Sequence, residues 1–148
     1  MSFILLACQS GKPPVHDSNE VKSAVGKMMS GIATDISAKG PIAWLDWFEA
    51  SPDFFMASEG MIVFANADSA SSFIRNKLVK QIHTIDLRWD NMRIDPISDN
   101  FAVVAANWKE NLTDFSNNKI SEGGYFTGLA EKTSKGWQLR NCHWSVSK

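Results

Sequence analysis

A chain of 148 residues, 44% hydrophobic and 21% charged, has the size and composition of one soluble globular domain. A formal net charge of −1 with scattered basic residues excludes the electrostatic footprint of a nucleic-acid binder. Six tryptophans and nine phenylalanines predict an aromatic-rich core or cavity.

The chain starts "MSFILLACQSGKPP", where the apolar run at residues 3–7 is far too short to span a bilayer. Leu5-Leu6-Ala7-Cys8 nevertheless resembles a bacterial lipobox, whose cysteine becomes the lipid-modified first residue of the mature protein. The residues ahead of it do not include a basic leader or most of an apolar signal, so the expectation is either a start further upstream or a chance resemblance. The expectation is a cell-envelope protein, lipidated at Cys8 and touching the membrane only through that anchor. A cytoplasmic protein with an unstructured tail is the alternative. Either way, residues 1–16 form a signal remnant and tail, and residues 17–148 form the folded domain. Cys8 and Cys142 then have separate fates, and no disulfide between them is expected.

Asp17 with Glu20 offers a capping box, and Val21, Val25, Met28, Ile32 and Ile36 recur at helical spacing. Gly40 stops that helix, and Pro41 opens a short one carrying Trp44, Leu45, Trp47 and Phe48, apolar over most of its circumference. "DFFMASEG" and "MIVFAN" read as two short strands around Glu59-Gly60. Asp68 or Ser69 caps a third helix with the stripe Ile74, Leu78 and Ile82. In "HTIDLRWDNMRID" the apolar parity runs through Ile85, Leu87 and Trp89, then flips to Met92 and Ile94. That flip predicts a β-bulge near Asp90 and Asn91. Three more strands follow, separated by the turn-forming "DFSNNK" and "KTSKG". Helices gathered early and strands late indicate an α+β fold, with three helices packed on a strongly bent antiparallel sheet that encloses a pocket.

That element order resembles the nuclear transport factor 2-like superfamily, also called SnoaL-like, with its cone-shaped α+β fold. "SPDFFMASEGMIVFANADSASSFI" is similar to the family's strand–turn–strand–helix segment. "EKTSKGWQLRNCHWS" is similar to the ending of its DUF4440-type branch. The resemblance implies that the last-strand face carrying Trp137, Leu139, Asn141, His143 and Ser145 points toward the helices. Trp137 would then be core, and Asn141 and His143 would approach the pocket.

The best-known enzymes of this fold are ketosteroid isomerases, which use a carboxylate base and an oxyanion hole of a tyrosine and a protonated aspartic acid. The base's matching place lies near Ala57 and Ser58, where there is no carboxylate, although Glu59 is adjacent. The first helix has no tyrosine, and the only one in the chain is Tyr125, on a late strand. The isomerase triad is therefore absent as a motif. His16, His83 and His143 show no zinc-type spacing, and no glycine-rich loop opens a helix for phosphate, so neither metal nor cofactor is expected.

His143 remains the candidate proton carrier, with Asp46 or Glu59 as partner, or else a structural histidine of the sheet. Asn107 interrupts the apolar face of Phe101, Val103 and Ala105, and Tyr125 lies among Gly123, Gly124 and Gly128. Those glycines leave room for a ligand or mark a bend. The expected ligand-binding set is Trp44, Phe48, Phe55, Asn107, Tyr125, Asn141 and His143, receiving a mostly apolar small molecule. The leading expectation is a binding domain without catalysis. The alternatives are an isomerase, cyclase or dehydratase with His143 shuttling a proton, and a structural dimerisation module. A homodimer through outer sheet faces is expected, anchored by Trp108.

Overall fold

Asp17 starts the first helix, its carboxylate accepting from the backbone N–H groups of Asn19 (3.0 Å) and Glu20 (3.1 Å). The computed structural model describes residues 17–147, so Cys8 and the tail expected at residues 1–16 lie outside the described residues. Helix α1 (Ser18–Lys39) buries Val21, Val25, Met28, Met29, Ile32 and Ile36 along one stripe. It ends at Gly40, whose φ of 75° suits glycine and whose N–H returns to the Ile36 carbonyl. A 3₁₀ turn (Pro41–Ala43) leads into the short α2 (Trp44–Trp47). Trp47 lies so close over α1 that a Cβ at Gly31 would come within 2.6 Å of its ring.

Strands β1 (Phe55–Ser58) and β2 (Met61–Phe64) form a hairpin whose turn residues Glu59 and Gly60 both have positive φ. Helix α3 (Ala67–Phe73) is capped by Asn66 in a reciprocal box with Ser69, two to three residues earlier than the expected caps Asp68 or Ser69. It continues through a π-helical turn (Ile74–Leu78) and a final turn (Val79–Gln81). The long strands β3 (Ile82–Pro96), β4 (Phe101–Asp114), β5 (Lys119–Thr133) and β6 (Gly136–Val146) complete an α+β fold.

The six-stranded sheet has the order β2-β1-β6-β5-β4-β3. Its pairs are antiparallel except β1–β6, which runs parallel. The expected bulge in β3 is present: pairing with β4 shifts between Asp90 and Arg93, and Asn91 takes a φ of 51°.

A second bulge, in β6, was not anticipated. Leu129 pairs with Asn141 and Ala130 with Leu139, leaving Arg140 as the extra residue. Its guanidinium is held by Glu131 at 2.7 Å and Asp53 at 3.0 Å. One inserted residue reverses side-chain parity. Trp137 and Leu139 therefore pack toward the core before the bulge, while Cys142 and Trp144 take the inner face after it. The single inward face expected to run from Trp137 to Ser145 does not exist. Beside it, Gly124 is required by close approach, because a Cβ there would overlap the Ser145 carbonyl.

The inner side of β4 is Ala102, Val104, Ala106 and Trp108, all buried, and not the face of Phe101, Val103, Ala105 and Asn107. Trp108 is only 4% exposed and cannot anchor a dimer from outside. Phe54, Phe126, Leu139 and the α1 stripe fill the centre of the core. Each large side chain buried there contributes roughly 1.5–3 kcal/mol of transfer free energy.

Candidate functional site

Strand alternation continues past Trp108, so Glu110 and Leu112 also point to the helix side of β4, and Glu122 does so from β5. These side chains border a cavity of about 320 Å³ between the sheet and the helical layer. Its walls are Trp44 and Phe48 from the α2 region, Met56 and Phe64 from the hairpin, Phe73, Ile74 and Leu78 from α3 and its π turn, and Trp108 and Trp144 from the sheet. A π turn widens the helix by one residue and commonly sits at a site. Here it supplies Ile74 and Leu78 to the wall.

Trp144 is the hub of the aromatic wall. Its ring meets Trp44 edge-on at 5.7 Å, Trp108 at 5.3 Å and Phe126 at 4.8 Å, and lies tilted against Trp89 at 5.6 Å. Trp108 is fixed further by its indole N–H, which donates to the Ser145 carbonyl at 3.2 Å. Trp89 donates likewise to the Met29 carbonyl at 3.0 Å, tying the sheet to α1. Rings locked in this way keep an open space from collapsing.

The polar side chains on the cavity lining are Ser58, Glu110 and Glu122. Glu110 is partly buried, whereas Glu122 is exposed at the rim, and the two stand directly opposite each other across β4 and β5. Among the described residues, neither carboxylate has a hydrogen-bond or ion-pair partner. Burial, reinforced by the like charge of Glu122, pushes the Glu110 carboxyl up to about 7. A carboxyl that exchanges its proton near neutrality, inside an apolar cavity, can act as acid or base and can receive a cation. Burial likewise pushes the Cys142 thiol up to about 12, so this sulfur is an inert part of the core.

The expected site residues divide between the two faces of the sheet. Trp44 and Phe48 line the cavity. Phe55, Asn141 and His143 do meet, but in a shallow depression on the outer face, with Val103, Thr127 and Leu129. Tyr125 is exposed on that same outer face, and Asn107 accepts there from the Asn91 side-chain amide at 3.2 Å. His143 is exposed and does not line the cavity. Asp46 is exposed on α2, and Glu59 caps the end of β6 by accepting from the Val146 N–H at 2.8 Å. Glu110, Glu122, Trp108 and Trp144 were missed as a site. The available signal was a glutamate in phase with the buried stripe Val104, Ala106 and Trp108. Among the described residues, no group of three or more His, Cys, Asp or Glu could hold a metal ion.

A bent sheet folded over helices, with an aromatic-walled cavity between the layers, defines an α+β architecture that solved structures share. An NTF2-like superfamily protein from Salmonella enterica matches with a TM-score of 0.73 at 16% identity, covering 88% of this chain and 93% of that one. A hexachlorocyclohexane dehydrochlorinase from Novosphingobium barchaimii matches with a TM-score of 0.68 at 12% identity, over 88% of each chain. A Novosphingobium aromaticivorans protein provisionally described as a scytalone dehydratase matches with a TM-score of 0.75 at 14% identity, over 89% of this chain and 88% of that one. The fold is that of the nuclear transport factor 2-like superfamily, as the sequence resemblance implied. No protein-family profile and no curated protein sequence matches the chain.

Proposed function

We propose that the domain binds a small, mostly apolar molecule in the cavity between sheet and helices. The observation that carries this reading is an aromatic-walled space of about 320 Å³ whose lining includes few polar side chains. That volume lies at the lower end of the range for small-molecule sites, where apolar walls supply affinity and a few polar groups fix orientation. Trp44, Trp108 and Trp144 make binding visible by fluorescence. A titration with aromatic fragments should quench or shift their emission and raise Tm. Ser58→Phe, which fills the cavity from its lining, should abolish both effects without lowering Tm. Fragment responses that survive Ser58→Phe would overturn the reading.

A second reading is supported by Glu110. An acid–base group near neutrality inside the cavity suits proton transfer, and two fold neighbours carry names that denote loss of hydrogen chloride and of water. Under this reading Glu110, rather than His143, takes the proton. In a screen of elimination substrates, Glu110→Gln should remove turnover while retaining the binding response. Turnover that persists in Glu110→Gln would count against it.

The same proposal places the pocket at the cell envelope through a lipid on Cys8, which the mass of protein recovered from bacterial membranes would report. It pairs two copies through the outer sheet face, where Phe55, Val103 and Tyr125 are exposed. Light scattering that gives a monomer mass at high concentration would remove the dimer.

A further inference from the structure

Among the described residues, the cavity's two carboxylates face apolar walls with no basic partner. No arginine, lysine or histidine among the described residues lines the cavity, and neither Glu110 nor Glu122 makes an ion pair with any of them. Side chains opposed across an antiparallel pair sit with Cβ atoms about 5 Å apart, and like charges so placed repel. A tight-binding ligand has to offset that repulsion. An anion would add to it, and a neutral molecule would leave it unchanged. A dication asks for six or more oxygen ligands, and among the described residues no third carboxylate joins these two on the cavity lining.

We infer that the cavity selects a lipophilic monocation, an amine with an aryl or alkyl body, whose ammonium lies between Glu110 and Glu122. This deepens the small-molecule reading and rests on it. The two carboxylates differ in depth, since Glu122 is exposed at the rim and Glu110 is partly buried. An ammonium between them directs the ligand's apolar body inward against Trp144, Trp108 and Phe64. The electron-rich faces of the indoles add attraction for a nearby cation. Each N–H of the ammonium has a carboxylate oxygen to reach, and charge-assisted hydrogen bonds of this kind are the strong ones. The raised proton affinity of Glu110 agrees with this assignment, because its present surroundings disfavour the negative form that an arriving cation would stabilise.

A matched pair of probes tests the inference: naphthylethylamine and naphthylethanol, titrated calorimetrically into the full-length protein at about pH 8, where the amine is cationic. The amine should bind about tenfold more tightly than the alcohol. Near pH 7 its binding should release protons, read as a dependence of the heat on buffer ionisation, and the alcohol should release none. Glu110→Gln should bring the two affinities within about twofold by weakening the amine alone. Glu122→Gln, at the exposed rim, should give a partial loss and serves as the second variant if the first folds poorly. Equal affinities in the wild type would overturn the inference and leave the pocket reading standing. Absence of binding by either probe and by every fragment would overturn both.

Discussion

The two faces of the β4–β5–β6 surface are built from alternate residues of the same strands, yet they differ in almost every physical respect. On the inner face, Trp108 and Trp144 interlock with Trp44, Trp89 and Phe126, and two of these indoles donate to main-chain carbonyls. On the outer face, Val103 is 39%, Phe55 40% and Tyr125 46% exposed, around a shallow depression that includes His143. Polar residue types that look chemical in a sequence, a histidine, a tyrosine and two asparagines, gather on the open side. The perturbed group is a plain glutamate on the closed side. Residue type is a weak guide to a site when burial, and not identity, sets the reactivity.

Deleting Arg140 should break this division most severely. Without the extra residue, β6 has to turn either Trp137 and Leu139 or Cys142 and Trp144 to the wrong face. The expected loss is on the order of 5 kcal/mol or more, enough to unfold a domain of ordinary stability. Arg140→Ala keeps the residue count and loses only partly exposed ion pairs, at about 1 kcal/mol. Urea melts of the two variants measure the contrast, and similar losses would show that the bulge does not set the faces.

Trp144→Ala comes next. Removing a ring that touches four other aromatic rings should cost about 3–5 kcal/mol in a thermal or urea melt. The cavity already beside it offers little atom density to collapse into the gap. A loss below about 1 kcal/mol would mean that the inner wall is loosely packed.

Glu110→Gln should act in the opposite direction and depend on pH. Folded Glu110 keeps its proton up to about 7, against an ordinary value of 4.5. Between those values the folded state binds more protons than the unfolded one, so stability falls as pH rises through the window. Glutamine carries no charge and escapes that loss. The variant should match the wild type near pH 4 and be more stable by about 2 kcal/mol at pH 8, allowing for solvent at the rim. Melts across this range decide it, and a wild type whose stability rises through the window would sink the assignment.

Much of the fold was legible because its signals were local. The Asp17 cap, the α1 stripe and the Gly40 stop were all read correctly, as was the β3 bulge, where the flip from Trp89 to Met92 leaves a visible break in apolar parity. The site was not legible, for two physical reasons. Along residues 101–106 of β4 both faces are apolar, so alternation alone does not say which is inside, and Trp108 against Asn107 was resolved the opposite way. In β6 the Arg140 bulge falls among residues that look amphipathic in either register, with tryptophans at 137 and 144 on opposite parities. Glu110, set between Lys109 and Asn111, reads as part of a solvated strand end until β5 and the helical layer are placed over it.

His143→Ala is the smallest expected effect, and its smallness is informative. His143 pairs with Thr127 on one side and Ala57 on the other through the main chain, contacts that alanine preserves. Its exposed ring borders a shallow depression and has no hydrogen bond to lose among the described residues. The expected change in stability is within about 0.5 kcal/mol, a tenth or so of that at Trp144. Fragment affinity should also be unchanged, since the ring is on the far side of the sheet from the cavity. If two copies pair through the outer face, the one quantity His143→Ala should move is the concentration at which the dimer dissociates, measured by light scattering over a dilution series. A histidine that alters ligand binding, with dimerisation and stability untouched, would return it to the site and undo the separation of the faces.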